Sequence, residues 1–145
     1  MKKIVFVFTF LSTISFQINA QWFWQNPLPQ GNWLNCVKFI SPEYGWIVGY
    51  YGTILKTTNG GTNWTLKESG TTKSLFCVSF ADANNGTAVG SYGTIVRTTS
   101  GGESWVLQNG GTTKHLRSVS FTDINNGTVV GDSGIITRTT NGGVT

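Results

Sequence analysis

A period of 41 residues constrains this chain more than any other feature: shifted by that length, the sequence falls on itself without a gap. Val37 aligns with Val78 and Val119, and Phe39 with Phe80 and Phe121. Gly45, Gly86 and Gly127 coincide, as do Gly49, Gly90 and Gly131, then Gly52, Gly93 and Gly134, and finally Thr57, Thr98 and Thr139. A low-complexity Gly/Thr tract would not hold bulky apolar residues at fixed positions. Each copy therefore reads as one supersecondary unit that buries its apolar faces by stacking on its neighbours.

Within the first copy, Leu34 to Ile40 reads as a strand and Ser41-Pro42-Glu43-Tyr44 as a turn. Later copies replace that turn with Ala83-Asn84-Asn85 and Ile124-Asn125-Asn126 before the shared Gly, an Asn-Gly signal that predicts positive φ. The second strand is Trp46-Ile47-Val48, matched by Thr87-Ala88-Val89 and Thr128-Val129-Val130. Its consecutive apolar residues predict burial on both faces. A third strand spans Thr53 to Thr58, and a fourth begins near Trp64. Four short strands in about 40 residues are the pattern of a propeller blade. The expected fold is all-β: an incomplete β-propeller of about three four-stranded antiparallel blades, at 34–74, 75–115 and an incomplete 116–145.

The most specific motif joins the third strand to the fourth. It runs Thr57-Thr58-Asn59-Gly60-Gly61-Thr62-Asn63-Trp64, then Thr98-Thr99-Ser100-Gly101-Gly102-Glu103-Ser104-Trp105, then Thr139-Thr140-Asn141-Gly142-Gly143. This resembles the Asp-box or BNR repeat, with Asn59, Ser100 and Asn141 at the Asp position. Those side chains can bond the turn's own N–H groups, while Gly61, Gly102 and Gly143 supply unusual φ and Trp64 and Trp105 pack beneath. The expected role is a structural clip.

The mature chain, and above all Gly45 to Trp64, resembles the photosystem II stability and assembly factor family. That resemblance implies a seven-bladed ring and a chaperone-like role, in which a lumenal propeller holds a membrane subunit during photosystem assembly. It also implies an arginine-lined binding patch.

Residues 1–20 are read apart from the fold. Lys2 and Lys3 precede an apolar run from Ile4 to Phe16, and Ile18-Asn19-Ala20 follows. The run is too short for a bilayer span of about 20 residues and reads as a secretory signal peptide. Export to the periplasm, cell surface or medium is expected, or to a lumen in a photosynthetic source. The segment carries two of the ten Lys/Arg, so the rest holds eight against six Asp/Glu. No basic cluster is present, which argues against nucleic acid as a partner, and no membrane span is expected after cleavage.

Trp22 and Trp24 mimic the alternation of Trp64 with Leu66, so 21–33 reads as a lone fourth strand and loop. Phe39 precedes Trp64 by 25 residues, and the same spacing from Phe121 would place a Trp one position beyond Thr145. Propellers close with four to eight blades. The expectation is a fragment, with the remaining blades in a longer chain.

Catalytic machinery is not expected. His115 is the chain's single histidine and reads as an exposed residue of an inter-blade loop. Cys36, Cys77 and His115 have no ligand spacing, so neither metal nor cofactor is expected. A sialidase-like or glycan-binding Asp-box propeller is the alternative reading, but Arg97 and Arg138 are repeat equivalents of Lys56 and form no unique arginine cluster. Equivalent positions on adjacent blades are expected to lie beyond the ~7 Å Cα limit for bridging, which predicts separate reduced thiols.

Two surfaces are candidates for a partner, a protein first and a glycan second. Lys56, Arg97 and Arg138 would form a circle of positive charge in a ring; the competing reading makes them solvated strand-end charges or partners of nearby carboxylates. Tyr50, Tyr51 and Tyr92 decorate the turn after the second strand, where exposed Tyr suits recognition.

Overall fold

The computed structural model describes Trp22 and residues 30–144; the segment read as a signal peptide, and all but Trp22 of the segment read as a lone strand, lie outside the described residues. The architecture is all-β, three antiparallel sheets in succession. The first contains β1 (Leu34–Phe39), β2 (Gly45–Gly49), β3 (Ile54–Thr57) and β4 (Thr65–Lys67), in that order. The second repeats it with β5 (Leu75–Phe80), β6 (Gly86–Gly90), β7 (Ile95–Thr98) and β8 (Val106–Gln108). The third contains β9 (Leu116–Phe121), β10 (Gly127–Gly131) and β11 (Ile136–Thr139). Register repeats with the sequence: Val37 faces Ile47, Val78 faces Ala88, and Val119 faces Val129.

Stacking of blades explains which apolar residues become core. In blade 1, Trp46, Val48 and Ile54 close on Leu75, Val78, Phe80 and Trp105 of blade 2. The indole of Trp46 stacks on Phe80 at 3.8 Å between centroids and 21° between planes. Val89 of blade 2 joins Leu116, Val119 and Val129 of blade 3 in a second cluster. Val37 is 58% exposed where its equivalents Val78 and Val119 show 3% and 5%, because among the described residues only the latter two have a blade on that side.

Two turns define the ends of each blade. The backbone N–H groups of Tyr50, Ser91 and Asp132 donate to the carbonyls of Trp33, Ser74 and His115, so the turn after the second strand and the loop before the first share one end. Gly60, Gly101 and Gly142 donate to Glu43, Asn84 and Asn125, which brings the Asp-box turns to the opposite end.

The first of these opposite-end turns corrects an expectation. No positive φ occurs at Asn85, Gly86, Asn126 or Gly127. Instead Asp82 Oδ1 accepts the N–H groups of Asn84 and Asn85, both at 2.7 Å, and Asp123 does the same for Asn125 and Asn126 at 2.8 Å. A carboxylate mimicking the missing backbone acceptor makes an Asx turn, which needs no left-handed residue. In blade 1 the Ser41 hydroxyl takes that place, accepting from Glu43 and Tyr44.

Candidate functional site

The Asp-box turns are built on a threonine. Thr57 Oγ1 accepts from Gly61 N at 2.9 Å and Asn59 N at 3.3 Å, while Asn59 Oδ1 accepts from Asn63 N at 2.9 Å. Thr98 and Ser100 repeat the scheme, with Gly102 N at 3.0 Å and Ser104 N at 3.1 Å. Thr139 and Asn141 hold Gly143 N and Val144 N. Gly60 and Gly61 both adopt positive φ, as do their equivalents, which lets the N–H groups of Asn59 and Gly61 converge on one hydroxyl. Trp64 and Trp105 lie edge-on to Phe39 and Phe80, each at 6.0 Å. All of these polar side chains have partners inside the turn.

The recurring cations reach across blade boundaries to these same turns. Lys56 is buried and its Nζ lies 2.7 Å from Glu103 Oε1, in the Asp-box turn of blade 2. Lys67 holds the other carboxylate oxygen at 2.6 Å. Arg97 donates to the carbonyl oxygen of Gly142 in the turn of blade 3 and, at 3.5 Å, to that of Ile124. Arg138, with no described blade beyond it, is exposed and lies 3.5 Å from Asn126 Oδ1. Thus Lys56 and Arg97 act as staples between blades, and Arg138 presents its charge to solvent.

The staple has a pH signature. Hydrogen bonds from Lys56 and then Lys67 hold the Glu103 carboxyl down from an ordinary 4.5 to about 2. Because the folded value is depressed, its stabilisation is complete above about pH 4.5 and is lost as pH falls toward about 2. Glu103→Gln is expected to flatten this acid limb in urea titrations between pH 5 and pH 2. It should also lower stability at neutral pH, where Lys56 would remain buried without its counter-ion.

The opposite end is aromatic. Trp33 and Tyr50 lie 5.2 Å apart, Tyr50 meets Tyr51 edge-on at 6.4 Å, and these rings line a notch with Gly31 and Asn32. On the next blade, Lys73 Nζ lies 5.0 Å over the Tyr92 ring, whose edge meets His115 at 5.0 Å. His115 was expected as an exposed loop residue. It is half-buried instead, because Nδ1 accepts from Tyr92 N at 3.1 Å and the ring packs against Phe76 at 6.0 Å. Arg117 stacks on the other side of this cluster, 4.9 Å from the Phe76 centroid, and forms a two-bond pair with Asp132.

Two features of this end were missed in the sequence. Each first strand has a register shift near its start, at Asn35, Phe76 and Arg117, and a bulge there re-aims the side chain. Tyr51 and Tyr92 also adopt left-handed backbone, with φ of 56° and 55°, while exposing 71% and 63% of their surface. Bulky residues seldom occupy that region.

The repeat geometry, the clip and the three-blade stack have counterparts among known proteins. The family described as Photosynthesis system II assembly factor YCF48 matches residues 15–105 and 65–145. The chain belongs to this family. Among solved structures it is similar to YCF48 bound to D1 peptide, at 26% identity and a TM-score of 0.73 over 81% of this chain and 39% of that one. YCF48 from Cyanidioschyzon merolae is similar at 28% identity and a TM-score of 0.71, covering 82% and 37%. The chain thus spans less than half the length of each. An ancestral GH74 enzyme shares the fold at 20% identity and a TM-score of 0.62, over 77% of this chain and 18% of that one. No curated protein matches.

In this YCF48-family chain the cysteines occupy one repeat position on β1 and β5. Both are free and half-buried, on the first strands of adjacent blades, and each shifts the other's titration. Interaction with Cys36 holds the Cys77 thiol below its ordinary range, while interaction with Cys77, together with burial, holds the Cys36 thiol above it. Among the described residues no group of three or more His, Cys, Asp or Glu is placed to hold a metal ion.

Proposed function

We propose that this chain is a non-enzymatic protein-binding module, exported by its signal peptide, that holds an extended peptide across its aromatic end. The observation that carries this reading is the exposed rank of Trp33, Tyr51 and Tyr92 beside the half-buried Tyr50, two of whose members sit on left-handed backbone. Aromatic side chains offer large contact area at low entropic cost, and strained residues cluster where a surface is used. The relative bound to D1 peptide supports a peptide as the occupant. Membership of the YCF48 family supports an assembly role.

The electrostatics favour binding over hydrolysis. A glycosidase needs a carboxylic acid whose pKa is raised so that it can donate a proton. Here the carboxylates with shifted values all move the other way: Asp82 and Asp123 are held down by N–H donors, Asp132 by Arg117, and Glu103 by two lysines. Each is engaged in structure.

Titration with the D1 peptide, followed by calorimetry, tests the reading. Tyr51→Asn and Tyr92→Asn remove the rings while keeping a residue that tolerates positive φ. Each is expected to weaken binding about tenfold without changing the circular dichroism spectrum. Equal affinity in the wild type and both variants would displace the site from this end, and binding of a soluble glycan in place of peptide would favour the glycan-binding reading.

A further inference from the structure

Repetition places the same inner-strand position of neighbouring blades side by side. Between blades 2 and 3 the pair is Cys77 and Ser118, whose Sγ and Oγ lie 3.9 Å apart. Cys77 Sγ is also 3.8 Å from the Val119 carbonyl oxygen. Between blades 1 and 2 the equivalent pair is Cys36 and Cys77. Their strands are held laterally by Asn35 Nδ2, which donates to the Leu75 carbonyl at 2.7 Å, and Cys36 packs against the first core cluster. From this juxtaposition we infer that Cys36 and Cys77 are a modification site: a redox pair that closes to an inter-blade disulfide when offered a disulfide donor.

The chemistry assigns different roles to the two thiols. Cys77 is the attacking group, because the Ser118 hydroxyl, 3.9 Å from its sulfur, can donate to its thiolate. Its sulfur attacks one sulfur of the donor R–S–S–R, and one RS⁻ leaves. Cys36 then attacks the mixed disulfide at Cys77, releasing the second RS⁻, and the two thiol protons end on the released thiolates. Two cysteine thiols are oxidised and one donor disulfide is reduced to two thiols. The bond would join blades whose contact is otherwise non-covalent, and would close a loop of 41 residues across the first interface.

Oxidised glutathione supplied to the whole chain tests this inference. The expected product has lost two hydrogen atoms by intact mass, resists alkylation at both cysteines and unfolds at higher urea concentration than the reduced form. Cys36→Ser, which lacks the resolving thiol, should accumulate a glutathione adduct on Cys77; Cys77→Ser should react far more slowly at Cys36. A stable glutathione adduct on the wild-type chain, a disulfide-linked dimer, or two thiols still open to alkylation would each overturn it.

Discussion

Replacing Trp46 with alanine is expected to cost about 3–5 kcal/mol of folding stability, the range for emptying a core site of a large aromatic. The ring is 1% exposed and lies between two blades: Phe80 stacks on one face, and Gly102 of the Asp-box turn sits against the indole nitrogen. Lys56 Nζ adds a cation 5.8 Å from its centroid. Repeat stacks are stabilised by nearest-neighbour interfaces, so the loss should fall on the boundary between blades 1 and 2. Urea unfolding should then separate an early transition of blade 1 from a later one of blades 2 and 3. Trp46→Phe is expected to cost less than alanine, because it keeps a stacking ring and removes an indole N–H that has no acceptor among the described residues. A single transition with an unchanged midpoint in Trp46→Ala would show that blade 1 does not depend on this interface.

Gly93→Ala should be comparably damaging, at about 3–4 kcal/mol, for two additive reasons. Its φ is +72°, where an added Cβ costs roughly 1–2 kcal/mol by itself. In addition, that Cβ would lie inside the permitted contact distance of the Thr112 carbonyl oxygen, in backbone that cannot swing away, since Gly93 N donates to Lys114 O at 2.7 Å. The repeat supplies its own control. Gly134 has φ +73° but nothing within 4 Å of its Cβ position, so Gly134→Ala should show the conformational part alone. Equal losses in urea titrations of the two variants would mean that the close approach contributes nothing.

Local chemistry was legible in the repeat. Thr57, Asn59 and Gly61 signal the clip because its hydrogen bonds stay within a few residues, and all three copies form it. The family resemblance read from Gly45 to Trp64 is the family the chain belongs to. Contacts made laterally, between residues of adjacent blades, were not legible. Lys56 meeting Glu103, Cys77 meeting Ser118, and Phe76 bulging toward His115 depend on the rotation between sheets and on a one-residue bulge. Neither quantity has a composition signature. Asp82 and Asp123 were also overlooked, because the Asn-Gly pair beside them suggested a different turn.

The second strands mark the division between the two sources of information. Their sequences alone specify short extended segments bounded by glycine, since the period and the turn chemistry are local properties. Whether both faces become core was decided only by stacking. β6 is buried throughout because it has a blade on each side, whereas β10 alternates between buried and exposed because one side has none among the described residues. Equivalent residues thus acquire different environments, as burial is a property of the neighbour and not of the strand.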